Sequence, residues 1–324
     1  MLVQKPKVFI TRKLPKKIET RMMELFDTTL NESDELLTEN ELINVFKNYE
    51  IVVPSIADKI SSKVIGGANK NLSLIANFGA GTDHINLDEA KSKNIIVTNT
   101  PGLLADDTAD LIMSLLLALP RRLYEGSKLV AEGNWNGWSP TKMLGKRING
   151  TRLGIIGMGR IGQAVAKRAK SFGIAIHYHN RKQLPPNIEE IYEATYWSNL
   201  DEMIRRMDIV SINCPLTKET KGLMSKKRLQ LMMQDSYIIN TSRSEIIDEN
   251  ALLQLLKDNK IAGAGLDVFK RIENRNSDLL NAPNTILIPH MGSATVEGRI
   301  EMGEKVIINI KTFIDGHNPP NRII

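Results

Sequence analysis

Three side chains stand where short apolar runs end. His290 follows Ile286-Leu287-Ile288-Pro289, Arg243 follows Tyr237-Ile238-Ile239-Asn240-Thr241-Ser242, and Asp267 closes Gly263-Ala264-Gly265-Leu266. Such runs read as buried strands, and open α/β sheets bind their ligands just past the carboxyl ends of strands. A guanidinium there grips an anion and polarises a carbonyl, an imidazolium protonates an oxygen that gains negative charge, and the third strand end adds a carboxylate. The other histidines are less suited to chemistry. His177 and His179 share one strand face at i, i+2 without a third ligand, so no metal is expected. His317 lies in a terminal turn, and His84 follows the Gly79-Ala80-Gly81 loop.

A second constellation supplies a reactant. Gly157-Met158-Gly159-Arg160-Ile161-Gly162 matches G-x-G-x-x-G, a pattern that chance alone produces in roughly one chain in ten of this length. Its context decides the matter: the strand Leu153–Ile156 precedes it and a good helix start, Gln163-Ala164-Val165-Ala166, follows. Gly157 permits the tight turn, Gly159 admits a pyrophosphate against backbone, and Gly162 lets helix and strand close together. Arg160 and Ile161 open the helix, whose N-terminus faces the anion. In NAD enzymes a carboxylate about 20 residues on accepts from the ribose 2′-hydroxyl. Here the next strand ends in His179-Asn180-Arg181-Lys182 and the first acid is Glu189. Asn180 and Arg181 are therefore assigned to the cofactor; Arg181 and Lys182 can both meet a 2′-phosphate, Arg181 with the better fork geometry, and NADP(H) is preferred over NAD(H). With such a cofactor, Arg243 and His290 suit hydride transfer to the carbonyl of a small anionic substrate.

The elements that must position these residues follow from periodicity. Runs at Val8–Ile10, Ile51–Val53, Leu74–Ala76 and Ile95–Val97 form one series. Leu153–Ile156, Ile174–Tyr178, Ile209–Ile212, Tyr237–Ile239, Ala264–Leu266 and Thr285–Ile288 form another, each alternating with helical segments. That rhythm predicts an α/β protein of two doubly wound parallel-sheet domains, and 324 residues suffice for two. Between the series, Asp106-Asp107-Thr108 caps an apolar helix from about Ala109 to Leu119, and Pro120-Arg121-Arg122 opens another. Trp135 and Trp138 then fall in a Gly/Asn/Pro-punctuated loop, either packing within the chain or forming a dimer arm. A final helix carries Val296, Ile300, Ile307, Ile310 and Ile314 on one face.

Composition excludes several classes. An apolar share of 42% and a charged share of 25% are ordinary for a globular protein, which rules out disorder as the main state. The single cysteine, Cys214, excludes an intramolecular disulfide and fits a reducing, cytoplasmic setting. No signal peptide is read at the start and no stretch long enough to span a membrane. A net charge of +6 favours anionic ligands, but its basic residues lack interleaved aromatics, so nucleic acid is not expected as a partner.

The ordered motifs Asn77-Phe78-Gly79-Ala80-Gly81-Thr82-Asp83-His84-Ile85, Asn99-Thr100-Pro101-Gly102, Asp106-Asp107-Thr108-Ala109-Asp110, the glycine fingerprint, Asn213-Cys214-Pro215-Leu216-Thr217, Asn240-Thr241-Ser242-Arg243, Gly265-Leu266-Asp267-Val268-Phe269 and Pro289-His290-Met291-Gly292-Ser293 resemble those of the D-isomer-specific 2-hydroxyacid dehydrogenases, in the glyoxylate/hydroxypyruvate reductase branch. The resemblance implies a flavodoxin-like substrate domain from residues 1–101 and 290–324 and a Rossmann-type dinucleotide domain from 102–289. It implies that backbone N–H groups of Ala80 and Gly81 receive the substrate carboxylate, Arg243 its carboxylate and carbonyl, and that His290 donates the proton. Thr108 and Ser242 would lie at the nicotinamide end, Cys214 and Pro215 on the adenosine side, and Asp267 would receive the nicotinamide amide. A homodimer held by residues of about 105–145 is also implied, with Trp138 reaching toward the partner.

One position departs. The family continues Gly-Leu-Asp-Val-Phe-x-x-Glu-Pro, whose Glu pairs with the catalytic His; this chain places Ile272 there and Glu273 one residue late. Glu273 is the candidate replacement, and one residue is about 3.8 Å of chain. The leading expectation is NADPH-dependent reduction of glyoxylate to glycolate and of hydroxypyruvate to D-glycerate. The alternatives are a D-3-phosphoglycerate or other D-2-hydroxyacid dehydrogenase and, from another class, a nucleotide-sensing protein with weakened catalysis.

Overall fold

The computed structural model describes residues 5–102, 105–270 and 278–324. The chain forms two compact units, one of residues 1–103 with 294–324 and one of residues 104–293. The second crossing falls after Ser293, later than the 289/290 division expected, and His290 therefore belongs to the same unit as Arg243.

The first unit holds a five-stranded parallel sheet of β1 (Lys7–Ile10), β2 (Asp27–Leu30), β3 (Ile51–Val53), β4 (Leu74–Ala76) and β5 (Ile96–Thr98). Their order, β2-β1-β3-β4-β5, is flavodoxin-like. β3 and β4 are buried on both faces, as their unbroken apolar runs require. The last helix, Val296–Ile314, buries Met302, Gly303, Val306, Ile307 and Ile310. A Cβ at Gly303 would meet Ile18 of the helix Lys16–Leu25 at 2.5 Å, so the glycine allows those two helices to touch. Val296 and Ile314, both expected on the packed face, are exposed, because the buried stripe runs only from Gly298 to Ile310. The tail returns to the sheet, Ile323 N–H donating to Val97 at 2.8 Å.

The second unit holds β6 (Arg152–Ile156), β7 (Ala175–His179), β8 (Thr195–Tyr196), β9 (Ile209–Ile212), β10 (Tyr237–Asn240), β11 (Gly263–Leu266) and β12 (Thr285–Leu287). All pair in parallel in the order β12-β11-β10-β9-β6-β7-β8, the Rossmann order with one strand added. The winding reverses between β6 and β9, which opens the crevice at their carboxyl ends. The helix Ala105–Ala118 lies against Arg160–Ser171 through Ala109, Ile112, Val165 and Ala169, and Arg168 pairs with Asp106 at 2.9 Å and Asp110 at 2.6 Å. Asp106 and Asp107 occupy that helix's first turn, where they face its positive end, instead of capping it from outside.

Trp135 and Trp138 are 59% and 84% exposed, so the expected packing inside the chain is not found. Among the described residues, no helix is long and apolar enough to cross a membrane.

Candidate active site

The glycine turn is built as its spacing requires. Gly157 adopts φ +98°, and a Cβ there would lie 2.7 Å from the Cys214 backbone nitrogen. A Cβ at Gly162 would collide with the Gly157 carbonyl oxygen, which is the close approach of helix and strand. Gly159 is different: it has ordinary extended backbone and a Cβ there would meet nothing within 4 Å. Among the described residues nothing demands a glycine at that position, and the open space in front of it fits a dinucleotide pyrophosphate at the N-terminus of Arg160–Ser171. Arg160 is exposed beside it, whereas Ile161 packs into the core beneath the turn.

Past β7, Asn180 is turned toward the glycine loop. Its Oδ1 accepts the Met158 N–H at 2.8 Å, so the residue also braces the turn. Arg181 is exposed. Glu189 is engaged by the Tyr178 hydroxyl at 2.6 Å and by Gln183, and burial with this carboxylate partner pushes the Tyr178 hydroxyl up to about 12. Glu219, in the turn after β9, is held below its ordinary range by the Thr217 hydroxyl and a backbone N–H, with Arg181 and Lys218 adding positive charge nearby.

At the carboxyl ends of β9 and β10 two loops are tied together. Ser242 Oγ donates to the Cys214 carbonyl, and Ser242 N–H donates to Asn240 Oδ1 at 3.0 Å. Asn240, buried, returns its Nδ2 to the Arg243 carbonyl at 2.9 Å, and Arg243 Nη1 donates to the Ser242 carbonyl at 2.8 Å. The polar backbone around Arg243 is thereby fixed from inside. Cys214, whose backbone lies against Gly157, is buried, which pushes its thiol up to about 11. Pro215 is exposed beside it.

Asp267, at the end of β11, is buried and binds the loop that carries His290. Its Oδ1 accepts from Met291 N–H at 2.5 Å and its Oδ2 from Gly292 N–H at 2.9 Å, while its carbonyl accepts from His290 N–H at 3.0 Å. Burial raises the Asp267 carboxyl above its usual range, against the opposing pull of the two N–H donors and His290. Thr108, buried in the helix Ala105–Ala118, donates from Oγ1 to the Gly292 carbonyl at 2.9 Å. Both Asp267 and Thr108 thus act on the His290 loop, a task their sequence positions did not disclose.

In the first unit, Ala80 is exposed and Gly81 partly so. Their own carbonyls and that of Gly79 are bound from inside by Asn77 and Asn99, residues that the motif contained but no chemical argument had singled out. Ile272 and Glu273 lie outside the described residues.

The sequence profile of "D-isomer specific 2-hydroxyacid dehydrogenase, NAD binding domain" matches residues 113–292. The chain is 40% identical to the glyoxylate reductase of Thermococcus litoralis over 98% of its own length and 97% of that protein's. It is similar to a crystal structure of a Thermus thermophilus protein, with TM-score 0.90, 36% identity and coverage of 98% and 100%. It is also similar to the NADPH-dependent glyoxylate/hydroxypyruvate reductase of Sinorhizobium meliloti in complex with NADP and malonate, with TM-score 0.85, 30% identity and coverage of 99% and 97%.

Proposed function

The chain belongs to the D-isomer specific 2-hydroxyacid dehydrogenases, NAD(P)-dependent oxidoreductases, and from that membership we propose that it reduces small 2-oxo acids, glyoxylate to glycolate and hydroxypyruvate to D-glycerate, with NADPH preferred. The observation that carries this reading is the gathering of the glycine turn, the Arg243 loop and the Asp267-bound His290 loop at the carboxyl ends of β6 and β9–β12 in one unit. The names of the Thermococcus litoralis and Sinorhizobium meliloti relatives support glyoxylate and hydroxypyruvate as the substrates of this reading.

When bound, the reduced nicotinamide supplies the hydride that the substrate's carbonyl carbon receives. Arg243 binds the substrate carboxylate and draws electron density toward the carbonyl oxygen, which lowers the cost of the negative charge gathering there. His290 delivers a proton to that oxygen and completes the hydroxyl. In the first unit the backbone N–H groups of Ala80 and Gly81 offer a carboxylate site of their own, and in the second Arg181 holds the 2′-phosphate. Leu123, Tyr124, Val130, Trp135, Trp138 and Leu144, all exposed in the protomer, supply the apolar surface of a homodimer.

The test is the initial rate of NADPH and NADH oxidation with glyoxylate and with hydroxypyruvate across pH. Turnover with NADPH preferred is the expected result. The displaced acid at Glu273 motivates a second reading, a nucleotide-sensing protein: tight NADPH binding without turnover of either acid would select it.

A further inference from the structure

Asn77, fully buried just past β4, donates through Nδ2 to two carbonyls of the loop that follows it, Gly79 at 2.9 Å and Gly81 at 2.9 Å. Asn99, just past β5, donates through its own Nδ2 to the carbonyl between them, Ala80, at 2.7 Å. Thr100 N–H adds a second donor to Gly79 at 3.0 Å. Three successive carbonyls are therefore drawn toward the interior of the first unit. In a trans peptide the N–H of the next residue points the opposite way. Drawing in the carbonyls of Gly79 and Ala80 thus turns the N–H groups of Ala80 and Gly81 outward, and among the described residues these two N–H groups donate to nothing. Consecutive outward N–H groups form an anion-binding concavity.

The orientation of the Asn77 amide is fixed by the same network. Carbonyl oxygens only accept, so Nδ2 faces Gly79 and Gly81, and Oδ1 is the atom 3.0 Å from His84 Nε2. His84 Nε2 therefore carries a proton and donates it. Asn99 is anchored in turn, its carbonyl accepting from the buried Asn309 Nδ2 at 3.2 Å, and Asn309 Oδ1 accepts from Asn321 Nδ2 at 3.1 Å. The loop is braced through asparagines to the last helix and the tail.

We propose that Asn77 is the positioning residue of the substrate-carboxylate site: it touches no substrate, and it sets the peptide planes whose N–H groups do. This rests on the reading of Ala80 and Gly81 as the carboxylate site. Asn77→Asp keeps the shape, removes both donors and sets an acid oxygen against two carbonyls. Asn77→Ser shortens the side chain without burying a charge and serves where the acid variant fails to fold.

The experiment measures KM and kcat for glyoxylate, the inhibition constant of oxalate and the dissociation constant of NADPH in both variants. The expected result is a rise of about tenfold or more in KM and in the oxalate constant, with kcat falling less than about threefold and NADPH affinity held within about twofold. Asn99→Ser moves the same quantities in the same direction. Unchanged KM and oxalate inhibition in a folded Asn77→Ser overturns the proposal, as does a parallel loss of NADPH affinity, which marks general destabilisation. If the wild-type protein turns over neither acid, the reaction reading fails. Calorimetric titration with oxalate then decides the carboxylate site by itself: binding weakened in Asn77→Ser upholds it, and no binding to wild type overturns it.

Discussion

Asp267 and His290 are bound back to back: the Asp267 carbonyl accepts the His290 N–H at 3.0 Å, and the Asp267 carboxylate accepts the next two N–H groups, at 2.5 Å and 2.9 Å. His290 itself has φ +54°, a left-handed backbone that costs a residue with a Cβ on the order of 1 kcal/mol or more. Three hydrogen bonds from one residue, two of them to a charged acceptor, hold that conformation and with it the imidazole's starting point. The carboxylate assigned from resemblance to a nicotinamide amide has a mechanical task within the protein as well.

Asp267→Asn is therefore expected to lower kcat for glyoxylate by about a hundredfold while the fold is kept, since an amide turns one donor toward a backbone N–H. The pH behaviour has a definite sign. Burial raises the Asp267 carboxyl above its ordinary 3.8, so the folded state holds that proton more tightly than the unfolded state. The stability of wild type relative to Asp267→Asn should decline as pH rises from about 4 through the raised value, while activity, which needs the ionised acceptor, increases. Urea titrations of both proteins across this range check it; a flat difference would remove the buried charge from the account.

The three glycines of the turn should separate stability from binding. Gly157→Ala places a Cβ 2.7 Å from the Cys214 nitrogen at φ +98°, and Gly162→Ala drives one into the Gly157 carbonyl, so each should cost about 1–3 kcal/mol. Gly159→Ala meets nothing within 4 Å and should leave stability within about 0.5 kcal/mol, yet raise the NADPH dissociation constant about tenfold. Thermal melts with and without NADPH measure both. A Gly159→Ala protein that melts early and binds normally would show that the open space is not the pyrophosphate's.

How much was legible follows burial. β3 and β9 are buried at every position and their Ile/Val runs announce them. β2 and β8 went unrecognised because each closes an edge of its sheet, where Asp27-Thr28-Thr29-Leu30 and Thr195-Tyr196 are half-exposed and carry no apolar run. At the candidate site, Arg243, His290 and Asp267 were singled out from strand ends alone. The partners they bind were not, since Asp267 meets Met291 and Gly292 across 24 and 25 residues of chain, a pairing made only when β11 and β12 align. The bond from Met158 N–H to Asn180 Oδ1 was hidden for the same reason: nothing in the neighbours of Asn180 announces it.

Cys214 offers a check on the packing beneath the cofactor turn. Burial pushes its thiol up to about 11, so at pH 8 little thiolate exists and little of the sulfur is reachable. Ellman's reagent should react slowly with the folded protein and at once in guanidinium, with a single thiol titrated. Rapid reaction of the folded protein at pH 8 would mean that the β9 loop opens far more often than its contacts with Gly157 and Ser242 imply.

Cofactor preference turns on Arg181. No carboxylate stands at the end of β7, Glu189 is held by Tyr178 and Gln183, and the nearby acid, Glu219, sits in the turn after β9 with Arg181 and Lys218 close enough to lower its carboxyl. An exposed guanidinium beside a surface carboxylate can swing to a 2′-phosphate and make a forked, charge-assisted contact. Arg181→Ala is expected to cut kcat/KM for NADPH by about 10- to 100-fold and to leave NADH nearly unchanged, because the two nucleotides differ only at that phosphate. The wild-type preference should also shrink as salt rises, since an exposed ion pair is screened within about 10 Å at 0.1 M ionic strength. Equal losses with both nucleotides would place Arg181 in the architecture of the β7 turn instead, and the source of any NADPH preference would then have to be sought in Lys182 or in the loop of Thr217 to Thr220.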